Sequence, residues 1–260
     1  MERKKEKGLK NRYALIDTIR GLALVSMIGY HGAWNLVYLY GMDWKWYQGR
    51  EAFFWQQSIC WTFILLSGFC WSMGRRQLKN GITVFLSGLL VTTVTLLVMP
   101  QNRVVFGVLT CIGSCSLLLF LLHRFLALFP PTPGAGLSFL FFILTYRINS
   151  GWLQIGSFLR FELPKAWYRG NGLMGNILTW LGFPTPDFYS TDYFSLFPWF
   201  FLFLTGYFLY HLFQKRDWMR AKIWELNIPP LAVLGRNSLL IYLLHQPLLY
   251  LMEEIFFLFF

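Results

Sequence analysis

The sequence predicts an all-α, polytopic transmembrane helical bundle of about seven spans, within a range of six to eight, with a cytoplasmic N-terminus. Hydrophobic residues make up 56% of the 260-residue chain and charged residues only 13%, too few for the polar surface of a soluble domain. Intervals without Asp, Glu, Lys or Arg cover residues 52–74, 80–102, 104–123, 125–146 and 193–214. A helix needs about 20 apolar residues to cross a bilayer, so each interval has room for one span.

The order of these spans also predicts how the chain is oriented. We place spans at residues 14–39, 53–73, 82–99, 104–126, 135–148, 193–214 and 231–257. Most lysines and arginines fall in the N-terminal tail and in the loops on the same side of the membrane as that tail. This bias favours a cytoplasmic N-terminus and a basic cytoplasmic tail at 1–12. We therefore expect residues 1–260 to form a single transmembrane domain, multi-pass in the cell membrane.

One connecting segment, residues 149–192, is long and rich in aromatic residues, and we expect it to lie outside the cytoplasm. A connection of this length is usually functional or disordered, and its aromatic content is not typical of disorder. Within it, residues 173–183 are apolar but short, so that they form either a re-entrant or interfacial helix or an additional span.

The composition also excludes some classes of function. The net charge of +11 does not indicate nucleic acid, because the basic residues lie in short loops where the positive-inside rule places them. The four cysteines fall within predicted spans, as core thiols, and form no metal or disulfide pattern with the histidines. We therefore expect a lipid bilayer as the surroundings, and neither nucleic acid nor a metal ion as a partner.

Several polar residues lie inside the first span, where each ionisable group costs about 2.5–3.5 kcal/mol and marks a functional candidate. Arg20 and His31 are eleven residues apart, which places them on one helix face, roughly 16 Å apart along the axis. Asp17 precedes Arg20 by three residues and can pair with it. This face continues toward Trp34 and Asn35 and should line a polar cavity. The alternatives are an interfacial Asp17–Arg20 pair and a structural His31.

The last predicted span repeats this theme. Ser238 and His245 are seven residues apart and share a face, with Asn237 alongside. Arg236 lies about 180° from His245 on a continuous helix, so both face one cavity only if the helix begins near Arg236. Pro247 removes one backbone hydrogen bond and is expected to bend the helix beside His245.

These segments resemble a known family of membrane enzymes. The stretch from Leu15 to His31 is similar to the opening of the heparan-alpha-glucosaminide N-acetyltransferase catalytic-domain family. The spacing of Arg20 and His31 also matches the related acyltransferase-3 membrane enzymes. Further similar segments follow in order along the chain, namely Phe106–Gly113, Leu196–Phe200 with Gly206, and Leu234–Pro247.

The resemblance implies transfer of an acetyl or other acyl group from cytoplasmic acyl-coenzyme A, chiefly acetyl-CoA, to a saccharide-like acceptor outside the cytoplasm. It implies His31 and His245 as catalytic residues, and His31 is the first choice for the general base. His245 would bind or polarise the thioester carbonyl. Residues expected to bind donor or substrate are Asp17, Arg20, Trp34, Asn35, Arg236, Asn237 and Ser238. Direct transfer and an acylated His31 both remain open.

Two other functions compete with this interpretation. A transporter or flippase for a small solute or lipid would also need buried ionisable residues, but such proteins often contain internal repeats, which this sequence lacks. A non-catalytic scaffold would leave His31 and His245 without a role. The sequence is compatible with a homodimer.

Overall fold

The computed structural model describes residues 13–259 and confirms the all-α class, since helices dominate this part of the chain. The predicted tail at 1–12 lies outside the described residues. The helices are α1 (Ala14–Tyr38), α2 (Arg50–Trp71), α3 (Gln77–Val98), α4 (Val108–Leu126), α5 (Pro131–Thr145), α6 (Gly172–Leu181), α7 (Leu196–Lys215), α8 (Pro229–Arg236) and α9 (Ser238–Phe259). The strands are β1 (Trp152–Ile155) and β2 (Leu159–Glu162).

Each of the first six predicted spans corresponds to one helix, whereas the prediction of a single seventh helix is wrong. The sequence predicts a single helix at 231–257, whereas the chain forms α8 and α9 with a break at Asn237. Pro229 and Pro230 start α8, because proline fits the first helical turn without losing a needed N–H donor. Asn237 adopts φ −103° and ψ 23° and ends α8. Helix α9 then continues through Pro247.

Among the described residues, four helices are long and apolar enough to cross a membrane: α3, α4, α7 and α9. Helices α1 and α2 have 25 and 22 residues, which is sufficient length, but α1 carries the polar residues discussed above. The number of spans and their orientation therefore stay predictions. Helix α6 has 10 residues and reaches about 15 Å, half the thickness of the hydrocarbon layer, so it is too short to span.

The connection between α5 and α6 contains a β-hairpin that the sequence analysis did not predict. Strands β1 and β2 pair antiparallel, with Trp152 opposite Glu162 and Ile155 opposite Leu159. Gly156 makes the turn with φ +56°, a left-handed conformation that glycine adopts without a steric penalty. The guanidinium of Arg160 lies 3.7 Å from the centre of the Trp152 ring, and this cation–π contact covers one face of the hairpin.

The described residues group into two compact units: unit 1 comprises 13–63 and 216–259, and unit 2 comprises 64–215. The prediction of a single domain stays a prediction. In unit 2, α3 packs on α4 and α5 packs on α7. In unit 1, α1 packs on α8, and the two backbones approach closely at Gly21 and Gly235. A Cβ atom on Gly21 would overlap the carbonyl oxygen of Leu231, and one on Gly235 would overlap that of Asp17.

Candidate active site

One side of α1 carries three of the polar site residues, at three successive positions along the helix axis that we call levels. Asp17 lies near its start, His31 in its second half and Asn35 one turn further on. Eighteen residues separate Asp17 from Asn35, which is five whole turns, so the two side chains lie on the same face about 27 Å apart along the axis. Both are buried. The apolar residues Leu24 and Met27 fill the space between these levels and are buried as well.

At the first level, Asp17 lies between two arginines. Its Oδ1 is 3.7 Å from Nη1 of Arg20, and its Oδ2 is 3.5 Å from Nε of Arg236. The Asp17 side chain is 6% exposed, whereas that of Arg236 is 40% exposed. The predicted ion pair of Asp17 with Arg20 is therefore present. The Asp17 carboxylate thus faces two guanidinium groups.

The break at Asn237 explains how Arg236 reaches this cluster. On a continuous helix Arg236 would point away from the face of His245, as the sequence analysis noted. The structure instead ends α8 at Arg236 and starts α9 at Ser238. The close packing of Gly235 on the Asp17 backbone then brings the next residue, Arg236, beside the Asp17 carboxylate.

At the second level, the structure brings the two predicted catalytic histidines together. The ring centres of His31 and His245 are 5.0 Å apart, with the planes inclined by 52°. The Nδ1–H of His245 donates to the carbonyl oxygen of Tyr242 at 2.5 Å. This bond fixes the neutral tautomer, because the proton on Nδ1 leaves Nε2 with a free lone pair.

The Nε2 atom of His245 is an unsatisfied buried acceptor. His245 is 6% exposed, and no residue between 13 and 259 forms a hydrogen bond with its Nε2. A buried polar atom without a partner is rare in native proteins and costs about 1–3 kcal/mol, which calls for a functional explanation. Here the unsatisfied atom is a basic nitrogen beside a second imidazole.

At the third level lies a polar network of which the sequence analysis had identified one member. Asn35, which is fully buried, donates through Nδ2 to Oε2 of Glu253 at 2.7 Å. Its Oδ1 accepts a hydrogen bond from Nε2 of Gln246 at 2.8 Å. Gln246 and Glu253 were missed as site residues. Their spacing of seven places them on one face of α9, so helical periodicity could have indicated them.

The other predicted binding residues have contacts of their own. Trp34 packs with Tyr38 at 5.2 Å between ring centres and belongs to an aromatic cluster that also contains Tyr47. The side chain of Asn237 donates to the carbonyl of Val233 at 2.9 Å and is exposed. Ser238 starts α9, seven residues and about 10 Å along the axis from His245. The structure therefore does not place Asn237 and Ser238 beside the imidazole of His245.

A separate open cavity of about 360 Å³ belongs to unit 2. It is lined by polar side chains and glycines of the segment 169–187, including Arg169, Asn176 and Asp187. The histidine pair belongs to unit 1, and the polar cavity expected beside it stays a prediction. Within residues 13–259, no group of three or more His, Cys, Asp or Glu side chains has the arrangement of a metal site.

Comparison with known proteins supports the resemblance noted in the sequence. The heparan-alpha-glucosaminide N-acetyltransferase catalytic family matches residues 12–247, which include all three polar levels except Glu253. No curated protein and no solved structure matched the chain. The family match favours a membrane acetyltransferase and gives no support to the transporter alternative. The chain belongs to the heparan-alpha-glucosaminide N-acetyltransferase catalytic family.

Proposed function

We propose that this protein is a multi-pass enzyme of the cell membrane that transfers an acyl group, in the first instance acetyl, from cytoplasmic acyl-coenzyme A to a saccharide-like acceptor on the other side. Family membership and the four apolar helices support an acetyltransferase in a membrane. The observation that carries the proposal is the contact of His31 with the buried His245, whose Nε2 has a free lone pair.

His245 is the general base in this proposal. The sequence favours His31 as the base, but the hydrogen bond from Nδ1 of His245 to the Tyr242 carbonyl leaves Nε2 of His245 free to accept a proton. A neutral imidazole in this tautomer accepts a proton and cannot donate from Nε2 to a thioester carbonyl. The assignment therefore moves the base from His31 to His245. His31 is the neighbouring imidazole, with its ring centre 5.0 Å from that of His245.

The acyl group is transferred directly from the thioester to the acceptor. Nε2 of His245 takes the proton from a hydroxyl or amino group of the acceptor, and the oxygen or nitrogen lone pair forms a bond to the thioester carbonyl carbon. The bond from that carbon to sulfur then breaks, and its electron pair goes to the sulfur. The proton held by the histidine passes to the thiolate, so the products are coenzyme A and the acylated acceptor. General base assistance of this kind contributes about 10²–10⁴ in rate.

The charge cluster of Arg20, Asp17 and Arg236 fits the anionic end of the acyl donor. Phosphate groups bind arginine through charge-assisted hydrogen bonds, often with two parallel contacts. Asp17 lies against both guanidinium groups and holds them at one place. The partial exposure of Arg236 leaves its side chain accessible to such a ligand. We assign these residues to donor binding, which is separate from proton transfer at His245.

The test measures release of free coenzyme A from acetyl-CoA by the purified protein in detergent, with glucosamine as the saccharide acceptor. We expect His245→Ala to lower the transfer rate about 10²–10⁴-fold because the base is removed. His245→Gln should be equally slow, since its amide oxygen can accept a hydrogen bond but is not basic.

The matched control is His211→Ala. His211 belongs to unit 2, and its Nε2 forms a hydrogen bond with the Ser72 hydroxyl at 3.1 Å, so it is a histidine with a side-chain partner outside the proposed site. This variant should retain the wild-type transfer rate. Equal activity of the His245→Ala and wild-type proteins would overturn the assignment of the base. If the wild-type protein releases no coenzyme A with any amino or hydroxyl saccharide, the acyltransferase function itself is refuted.

A further inference from the structure

The hydrogen bonds of the Asn35–Gln246–Glu253 network all run in one direction, and that direction is set at Glu253. An ionised carboxylate only accepts hydrogen bonds. Because Oε2 of Glu253 accepts from Nδ2 of Asn35, Oδ1 of Asn35 must face the other way. It accepts in turn from Nε2 of Gln246. The amide of Gln246 therefore has its nitrogen fixed in the network and its oxygen turned out of it.

The free end of this chain of bonds is a second unsatisfied acceptor. Oε1 of Gln246 is buried and forms no hydrogen bond with any residue from 13 to 259. Gln246 follows His245 directly on α9, and Nε2 of His245 is unsatisfied as well. Both orphaned atoms are acceptors that lack a hydrogen, so only a ligand group that donates hydrogen bonds can satisfy them.

We propose that Nε2 of His245 and Oε1 of Gln246 form the acyl-acceptor subsite, and that Glu253 is a specificity-determining positioning residue for it. Glu253 acts through Asn35 to keep Oε1 of Gln246, and not its nitrogen, directed at the acceptor. This inference rests on the proposed function, since it concerns the group that gives its proton to His245. Glu253 itself does not touch the substrate. It selects acceptors that present N–H or O–H groups at the subsite and rejects compounds that present only oxygen acceptors there, because these would leave Oε1 of Gln246 unpaired.

The alternative is that Glu253 merely ties α9 to α1. The neighbouring residue provides the matched control for that role. Glu254 also lies on α9, and its Oε1 accepts a bond from the hydroxyl of Tyr40 at 3.2 Å. Tyr40 follows α1. Glu254 therefore also ties α9 to the end of α1, but it is not part of the hydrogen-bonded network of Gln246. Glu254→Gln should therefore weaken the attachment of α9 without changing the direction of the Gln246 amide.

A polarity swap separates the two roles. In Glu253→Gln the new amide can offer either its oxygen or its nitrogen to Asn35, so Gln246 no longer has a fixed direction. In Asn35→Asp two carboxylates meet where a bond of 2.7 Å now lies, which is repulsive. The double variant Asn35→Asp/Glu253→Gln restores the order. The new carboxylate at position 35 accepts both from the new amide nitrogen at position 253 and from Nε2 of Gln246, and Oε1 of Gln246 is again free.

The experiment measures the KM for glucosamine and the KM for acetyl-CoA in these variants. We expect Glu253→Gln to raise the KM for glucosamine about tenfold, equivalent to about 1.4 kcal/mol, and to leave the KM for acetyl-CoA unchanged. The double variant should return the KM for glucosamine to within about threefold of wild type. Glu254→Gln should leave both values unchanged. Equal effects of Glu253→Gln and Glu254→Gln, or no recovery in the double variant, would overturn the inference.

A binding measurement keeps the inference testable if the proposed function fails. If the wild-type protein transfers no acetyl group, the increase in Tm caused by glucosamine alone is measured for the same variants. The inference is supported if the increase is present in wild type, lost in Glu253→Gln and recovered in the double variant. A Tm increase that is equal in all variants, or zero in wild type, refutes it.

Discussion

Substitution of Gly235 by alanine tests the packing that holds the charge cluster together. The added Cβ would lie 2.8 Å from the carbonyl carbon of Asp17 and 3.0 Å from the backbone nitrogen of Gly21, and it would overlap the carbonyl oxygen of Asp17. These atoms belong to the backbone of α1, so no side-chain rotation relieves the overlap. Helices α1 and α8 have to move apart, and Arg236 moves with α8.

The size of the effect follows from two opposing contributions. Overpacking in a well-packed interior usually costs about 1–3 kcal/mol, and a backbone clash places Gly235→Ala at the upper end of that range. Replacing glycine by alanine within a helix raises the free energy of unfolding by about 0.5–1 kcal/mol, because alanine is the better helix former. We therefore expect a net destabilisation of about 2 kcal/mol. For a chain of this size that corresponds to a decrease in Tm of about 4–8 °C.

The assay is thermal unfolding of the purified protein in detergent, followed by measurement of the KM for acetyl-CoA. Gly136→Ala is the matched control, because Gly136 also lies in a helix and a Cβ atom added there would meet no other atom within 4 Å. It should keep or slightly raise the Tm. Gly235→Ala should also raise the KM for acetyl-CoA, since Arg236 moves away from Asp17. A Tm for Gly235→Ala equal to that of Gly136→Ala would refute the close contact between α1 and α8.

Two further predictions concern charged residues. Arg236→Gln should raise the KM for acetyl-CoA about tenfold with little change in kcat, because a uniform binding contact is lost; the exposed Arg216→Gln is the control, and equal values for both variants would exclude Arg236 from donor binding. Outside the spans, burial raises the pKa of Asp192 to about 6, partly offset by the bond from the Val108 N–H. A raised folded-state pKa contributes stability that is full below about pH 4 and is lost as the pH rises through about 6. The Tm of wild type relative to Asp192→Asn should therefore fall between pH 4 and 7, and a constant difference would contradict this.

Much of the helical fold could be predicted from the sequence, because apolar length is a direct physical requirement of the bilayer. The first span was expected to begin at residue 14, and α1 begins at Ala14. The Arg20–His31 spacing also identified the polar face of α1 by geometry alone. In contrast, the hairpin at 152–162 was missed, because its strands have four residues each and their alternation is obscured by the aromatic residues around them.

The break between α8 and α9 shows why the site could not be assembled from local patterns. Residues 231–257 read as one apolar run, in which Asn237 is only a weak local signal for an interruption. The break coincides with a tertiary contact, since Gly235 rests against the backbone of Asp17 some 200 residues earlier. The break then turns Arg236 toward Asp17 while His245 still faces His31.

The same separation in sequence explains why Glu253 was not predicted as a site residue. A carboxylate close to the end of an apolar helix is ordinary at an interface, and its partner Asn35 lies 218 residues away. Helical spacing alone relates Glu253 to Gln246, but it does not reveal which amide atom remains free. Asn35 lies between the two side chains, donates to Glu253 and accepts from Nε2 of Gln246. This contact with α1 is what leaves Oε1 of Gln246 as the free atom. The chemistry of the subsite is therefore a property of the contact between α1 and α9, and a substitution at Asn35 should alter it as much as one at Glu253.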